Sequence, residues 1–272
     1  MQSLKQFIYD CAIQGRAFFS REDAMANLAL KPETLSAAIS RLIRRNELAN
    51  PRHGFYLILR PEDRIAGAPD PARWIDPLMK YQRIDYRISL LRAAAIHGAS
   101  HQSAMVFQVI TPKQLRNIEI GRHRLQFIYQ APKAFMLINQ PSYLDEMKSD
   151  TGFAKLAGVE LTLLDCARYL HKASGINSVA QIVKDIGASV NLRKLAAAAA
   201  VYENSTVRRL GYLLEQTGHE RQAKVLAPFV RRAKSPVLLN PGLKTTIALL
   251  DEPAQKNRKW QLLINEDIEV DF

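Results

Sequence analysis

The chain has 272 residues, enough for two or three domains that each bury a hydrophobic core. Apolar residues make up 47% of it and aromatic residues 8%, which is typical of globular proteins and argues against disorder. The 38 lysines and arginines exceed the 26 acidic residues and give a formal net charge of +12, which favours a polyanionic partner such as nucleic acid.

The cysteines and the N-terminus indicate a compartment. Cys11 and Cys166 both lie in apolar helical patterns, where unpaired thiols behave as small hydrophobic residues. The N-terminal residues are polar where a secretory signal would be apolar, and no run approaches the roughly 18 apolar residues of a membrane span. We therefore expect a soluble, cytoplasmic protein.

The N-terminal residues predict two short helices. Apolar spacing over residues 4–13 predicts a first helix, and Gly15 follows it as a C-terminal glycine does. Ser20 precedes the second helical segment, and the acidic Asp23 stands three positions later. This spacing is typical of a capping box and predicts that a helix begins after Ser20.

A third helix is predicted from Pro32, because proline and the acidic Glu33 are both favoured in a first helical turn. At 100° per residue, an apolar face packs inward and consists of Leu35, Ala38, Ile39, Leu42 and Ile43. The opposite face points outward and consists of Glu33, Ala37, Ser40, Arg41 and Arg44, with Thr34 and Arg45 at its flanks.

Residues 47–60 place two β-prone stretches around Pro51, Arg52, His53 and Gly54, which predicts a β-hairpin with a basic tip. Helices followed by a hairpin in this order are typical of a winged helix-turn-helix, whose third helix enters the major groove of DNA. We therefore predict a DNA-binding domain of this type over residues 1–65.

The candidate DNA-binding residues come from the second helix, the third helix and the hairpin. They are Ser20, Arg21, Thr34, Ser36, Ala37, Ser40, Arg41, Arg44, Arg45, Arg52 and His53. Arg41 and Arg44 suit guanine edges, whereas Arg45, Arg52 and the Ser20 end of the second helix suit phosphates. The alternative is that the arginines of the third helix form a solvated face.

The remaining chain predicts a larger domain over residues 72–272, after a breaker-rich linker at 61–73. Its first part, 72–150, mixes a helix that carries Ile88, Leu91, Ala95 and Ile96 with a buried strand and a hairpin. Its second part, 151–272, contains five helices from Val159 onward and then two strands, with Trp260 in the core. The predicted fold class is therefore α+β.

Basic residues also recur in the last helices. A possible second basic surface, for nucleic acid or merely solvated, consists of Arg208, Arg209, Arg221, Lys224, Arg231 and Arg232.

Signals for catalysis are weak. The chain has neither a glycine-rich phosphate loop nor a nucleophile elbow. His97 and His101 have the spacing of metal ligands on a helix, but Gly98 interrupts the helix and no third ligand is suitably placed. A second weak signal is a nuclease-like set consisting of Asp251, Glu252 and Lys256. We expect neither an enzyme nor a bound metal or cofactor.

Taken in order, the winged helix, the segment RISLLRAAAIHGAS, the strands around IEIGRHRLQFIY and the helix opening GVELTLLDCARYL resemble the AbiEi antitoxin family of type IV toxin–antitoxin systems. The resemblance spans nearly the whole chain. The residues that match its small-Glu-Leu-Leu-Asp pattern are Gly158, Glu160, Leu163, Leu164 and Asp165. Glu160 and Asp165 suit a structural role or a direct antitoxic one.

This resemblance implies an antitoxin that binds inverted repeats upstream of its own operon and represses it. It also implies that the partner is a nucleotidyltransferase-like toxin, which the antitoxin counters without a stable complex and through its C-terminal part. Two other classes stay open: a winged-helix regulator whose C-terminal part senses a small molecule, and a nuclease with a DNA-recognition module.

Overall fold

The computed structural model describes residues 3–99, 106–149, 152–243 and 255–269. The fold is mixed α+β, as predicted, and the chain divides into two compact units. The first consists of Met1–Arg87, Met105–Gln130 and Glu146–Lys155, and the second of Ile88–Ala104, Ala131–Asp145 and Leu156–Phe272. The first unit therefore continues well past residue 65.

The first unit opens with three helices and a small antiparallel sheet of strand order β1-β3-β2. In chain order the elements are α1 (Leu4–Ile13), β1 (Phe18–Ser20), α2 (Arg21–Asn27), α3 (Pro32–Arg44), β2 (Leu48–Arg52) and β3 (Phe55–Ile58). The predicted helices and hairpin are present. The three-residue strand β1 was not predicted, because it is too short to show a periodicity.

The start of α2 is fixed by the predicted capping box. The Ser20 Oγ accepts a hydrogen bond from the backbone N–H of Asp23 at 2.9 Å, and the Asp23 carboxylate accepts one from the backbone N–H of Ser20 at 3.0 Å. Arg16 also forms an ion pair with Asp23 at 3.1 Å. These bonds satisfy N–H groups that lack partners within the helix.

Residues 61–73 are packed rather than extended as a linker. Two short 3-10 turns, Pro61–Asp63 and Pro71–Arg73, are joined by an ion pair between Arg73 and Asp63 at 3.2 Å. Ala68 is buried, and the Trp74 indole N–H donates to the carbonyl oxygen of Pro69 at 2.9 Å. The breaker residues therefore form turns within the first unit.

The first unit also contains α4 (Ile75–Gln82) and most residues of a six-stranded sheet with the order β6-β7-β5-β4-β9-β8. Its strands are β4 (Arg87–Ile88), β5 (Val106–Thr111), β6 (Ile118–Ile120), β7 (His123–Tyr129), β8 (Leu144–Ser149) and β9 (Gly152–Ala157). The predicted hairpin is the antiparallel β6–β7 pair, and β5 runs parallel to β7.

The second unit is mainly helical. Its helices are α5 (Leu90–Ile96), α6 (Pro132–Ile138), α7 (Val159–Arg168), α8 (Ile176–Ile186), α9 (Leu192–Val201), α10 (Asn204–Gln216) and α11 (Glu220–Val230). The last five confirm the helices predicted after Val159. Ile88 was wrongly placed in a helix, because the chain is extended there and α5 begins only at Leu90. The buried face of α5 therefore consists of Leu90, Ala93 and Ala94, not Leu91, Ala95 and Ile96.

A small sheet of order β10-β12-β11 completes the second unit, with strands β10 (Val237–Leu238), β11 (Gln255–Asn257) and β12 (Leu262–Ile264). Residues 245–254, which include the start of the predicted strand pair, lie outside the described residues. Trp260 is buried, as predicted, and its indole N–H donates to Glu215 at 2.6 Å. Gly211 makes room for the ring, since a Cβ there would lie 2.1 Å from a ring carbon.

Three further expectations concern single positions or the whole chain. Cys11 and Cys166 are buried and unpaired, as predicted, and burial raises the pKa of both thiols. Ile43 was wrongly placed in the core: it is 38% exposed, because it lies about 100° around α3 from the buried Leu42. Within the described ranges, no helix is long and apolar enough to cross a membrane.

Candidate nucleic-acid interface

Helix α3 has one packed face and one open face. Leu35, Ile39 and Leu42 are buried in the core of the first unit, and Ala38 packs against them. The open face is exposed to solvent and consists of Glu33, Thr34, Ala37, Ser40, Arg41, Arg44 and Arg45. Short side chains at Ala37 and Ser40 allow a macromolecule to approach the helix closely.

The arginine side chains of this face are not engaged by other described residues. Among the described residues, none forms an ion pair or a side-chain hydrogen bond with Arg41, Arg44 or Arg45. Arg41 and Arg44 lie in the last turn of α3, where positive charge is favoured by the helix dipole. Three guanidinium groups are therefore available to an anionic partner.

The other predicted residues on α2 and α3 are partly engaged in the fold. The Ser20 hydroxyl oxygen caps α2, and the Ser36 hydroxyl donates to the carbonyl oxygen of Pro32 at 2.8 Å. Arg21 donates from its side chain to the same carbonyl at 3.4 Å and from its backbone to that of Gly54 at 2.7 Å. Ser20, Ser36 and Arg21 therefore help to position α2, α3 and the hairpin.

The turn of the β2–β3 hairpin is anchored within the first unit. The Tyr81 hydroxyl, on α4, donates to the carbonyl oxygen of His53 at 3.3 Å, while the His53 side chain is exposed. Gly54 has a φ of +76°, and a Cβ there would lie 2.4 Å from the Tyr81 hydroxyl oxygen. The backbone conformation therefore favours glycine, and a larger residue would also displace the Tyr81 hydroxyl.

Arg52 has an internal role that the sequence did not reveal. Its guanidinium donates to the carbonyl oxygen of Arg116 and lies 5.8 Å from the centre of the Phe127 ring. Burial and the charge of Arg116 lower the pKa of Arg52. Because its guanidinium is held by β-sheet residues of the first unit, we leave Arg52 out of the proposed phosphate contacts.

Lys5 is the residue that sequence reasoning missed. It lies in the first turn of α1 and lines a cleft with Arg41 and Arg45 of α3. Its exposed position on α1 was readable from the helical period. Its proximity to α3 depends on how the two helices pack, which no local pattern encodes.

Arg208 and Arg209 do not belong to the predicted second basic surface, because they are 4% and 8% exposed. Arg208 donates to the carbonyl oxygens of Ser235 at 3.0 Å and Gln261 at 2.9 Å. Arg209 donates to that of Leu238 at 3.1 Å. Burial lowers the pKa of both groups, which tie α10 to the small sheet.

The rest of that predicted surface is exposed on and just after α11. Arg221, Lys224, Arg231 and Arg232 lie on one side of the helical turn, opposite the buried Leu226. Arg232 also lies 5.5 Å from the centre of the Phe229 ring. A role in binding nucleic acid is a proposal for these four residues only.

The acidic residues of the α7 segment are buried and bonded. The Glu160 carboxylate accepts a hydrogen bond at 2.6 Å from the backbone N–H of Asn191, the residue that caps α9. Asp165 is fully buried and accepts hydrogen bonds from the hydroxyls of Ser89, at 2.6 Å, and Tyr202. A Cβ at Gly158 would lie 3.0 Å from the carbonyl oxygen of Tyr143, which is a tight contact.

The weak catalytic signals gain no support from the described residues. A His97 ring nitrogen lies 2.7 Å from the carbonyl oxygen of Ala157, whereas His101 lies outside the described residues. Asp251 and Glu252 also lie outside them, and Lys256 is exposed on β11. No group of three or more potential metal ligands occurs in the parts of the chain that the structure covers.

Comparison with known proteins places a family signature on part of the chain. Residues 87–216 match the family model described as AbiEi antitoxin C-terminal domain. The structure is similar to the crystal structure of the RV2827C protein from Mycobacterium tuberculosis, with a TM-score of 0.64 and 15% identity over 95% of this chain and 89% of that chain. At this identity the likeness shows a shared fold. No curated protein sequence matches the chain.

Proposed function

We propose that the chain, whose residues 87–216 match the AbiEi antitoxin family, is the antitoxin of a toxin–antitoxin pair and that it also represses its own operon by binding duplex DNA. The proposed operator contains inverted repeats upstream of the two genes. The proposed toxin is nucleotidyltransferase-like, and the antitoxin counters it without a stable complex. The family is one of antitoxins and not of enzymes.

The observation that carries the DNA-binding proposal is the open face of α3. Exposed guanidinium groups without partners among the described residues stand beside small side chains on a helix that is held by its opposite face. Three helices followed by a hairpin, in this order, are typical of a winged helix. In that fold the third helix, here α3, enters the major groove of DNA. Arg44 shares the centre of the face with Ala37, seven residues earlier, and is our candidate for bidentate contact with guanine.

The experiment measures operator binding and protection against the toxin, both with the full chain. Wild-type protein should bind its upstream DNA more tightly than a scrambled duplex, and its affinity should fall steeply with salt because phosphate contacts release counterions. A variant with Arg41, Arg44 and Arg45 changed to Ala should keep its helices but lose operator binding.

The same variant, expressed from a foreign promoter beside the toxin gene, should still protect growth. A folded variant that binds no operator and fails to protect would mean that neutralisation depends on DNA binding. Equal affinity of the wild type for operator and scrambled DNA would contradict specific repression.

A further inference from the structure

A cleft of about 310 Å³ separates the start of α1 from the C-terminal half of α3. Its lining consists of Ser3, Leu4, Lys5, Ala38, Arg41, Leu42 and Arg45. Leu4 and Leu42 are buried in the hydrophobic core, so the two helices that form the walls are held together by packing. The cleft therefore lies between two helices that share the hydrophobic core of the first unit.

The chemistry of this cleft is cationic. Lys5, Arg41 and Arg45 contribute three positive charges, and no acidic residue lines the cleft. The first turn of α1 also contains no acidic residue, so the positive end of its dipole is not neutralised locally. Together these groups favour an anion with several acceptor oxygens, which they can approach from two helices at once.

The position of the cleft on α3 distinguishes two kinds of DNA contact. Arg44 lies at the centre of the open face, whereas Arg45 lies about 100° further round, on the side of α1. When a helix lies in the major groove, residues at its centre reach base edges and residues at its flank meet the phosphates of the groove wall.

We propose that Lys5, Arg41 and Arg45 form a clamp for one phosphate of the DNA backbone, and that base reading falls to Arg44. The proposal rests on the DNA binding proposed above and adds Lys5 to it. It also moves Arg41 from base recognition, the role suggested by its position in the sequence, to backbone binding. Backbone contacts fix the register of the protein on DNA and act on any sequence.

Lys5→Gln in the full chain tests the clamp, with affinities measured on operator and scrambled duplexes between 50 and 200 mM salt. The variant keeps Arg41 and Arg45 in the clamp but loses one of the cations that replace counterions on the DNA, so it should weaken binding to both duplexes by the same factor and lower the log–log salt slope by about 0.9. The wild type should therefore lose about threefold more affinity than the variant over this salt range. The matched control is Lys148→Gln on β8, an exposed lysine that does not line the cleft.

An unchanged salt slope in Lys5→Gln would overturn the clamp, and so would a loss confined to the operator. Because phosphate binding does not depend on DNA sequence, the salt slope tests the clamp even if the wild type shows no preference for its operator. A wild type without operator preference would contradict the proposed repression but not the clamp. Circular dichroism melting should be the same for both variants and the wild type, since both lysines are exposed.

Discussion

Helix α3 exposes Arg41, Arg44 and Arg45 to solvent, and none of them has a partner among the described residues. Helix α7 instead carries Glu160 and Asp165, which are buried and accept hydrogen bonds from other residues of the second unit. Both sets are charged residues on helices. The difference between them is whether the fold already uses the charge. Residues that the fold uses are expected to control stability, and residues that it leaves open are expected to control binding.

The same difference separates neighbouring basic residues within the first unit. Arg52 comes only seven positions after Arg45, yet its guanidinium is bonded to the carbonyl oxygen of Arg116 and packed on Phe127. In the second unit, Arg208 and Arg209 are buried, while Arg231 and Arg232 are exposed. A basic residue in the sequence is therefore only a candidate until its internal partners are known.

Asp165→Ala should produce the largest loss of stability. It leaves the hydroxyls of Ser89 and Tyr202 buried without their acceptor, at about 1–3 kcal/mol each, so we expect a loss of roughly 2–6 kcal/mol in the free energy of unfolding. Urea unfolding followed by circular dichroism measures it. The exposed Glu146 on β8 is the control, and Glu146→Ala should stay within about 0.5 kcal/mol. A stable Asp165→Ala protein that no longer protects against the toxin would instead support a direct antitoxic role.

Gly54→Ala and Gly15→Ala together test whether Tyr81 of α4 holds the hairpin turn. Both glycines have nearly the same positive φ, +76° and +74°, but only Gly54 has a neighbour that a Cβ would meet, the Tyr81 hydroxyl. Gly54→Ala should therefore cost about 1 kcal/mol more than Gly15→Ala, because the new methyl group displaces the Tyr81 hydroxyl and its hydrogen bond to His53. Adding Tyr81→Phe should recover part of that difference. Equal losses in the two alanine variants would show that α4 does not hold the hairpin turn.

The exposed residues of α11 should give the smallest effect. Changing Arg221, Lys224, Arg231 and Arg232 to Gln removes four positive charges from a chain of formal net charge +12. We expect no loss of stability and a slower association with DNA at low salt, because long-range attraction is weakened. Stopped-flow mixing measures the rate. A loss of operator affinity as large as that of an α3 variant would show that α11 contacts DNA directly.

Local signals in the sequence were sufficient for the elements and for the open face of α3. The capping box of Ser20 and Asp23, Pro32 at the start of α3, and the helical period of Leu35, Ile39 and Leu42 all act over a few residues. They therefore predict structure without knowledge of the rest of the chain.

Features that depend on distant residues were not predictable. Arg52 is engaged by Arg116 and Phe127, which lie more than sixty positions later in the chain. Lys5 lines a cleft with Arg41 and Arg45 only because the fold brings the start of α1 near α3. The turns of residues 61–73 have the composition of a linker, and only the Arg73–Asp63 pair and the burial of Ala68 reveal that they are packed.

The most direct test compares Arg44→Ala with Arg52→Ala in the full chain, by operator affinity and by urea unfolding. Arg44→Ala should weaken operator binding by about 1–3 kcal/mol, as the loss of a bidentate base contact does, and leave the free energy of unfolding unchanged. Arg52→Ala should do the reverse and lower stability by about 0.5–1.5 kcal/mol, because the fold loses one hydrogen bond to an exposed carbonyl and the packing of Arg52 on Phe127. Equal losses of operator affinity at unchanged stability would contradict the account, since the hairpin arginine would then be as available to DNA as the arginine of α3.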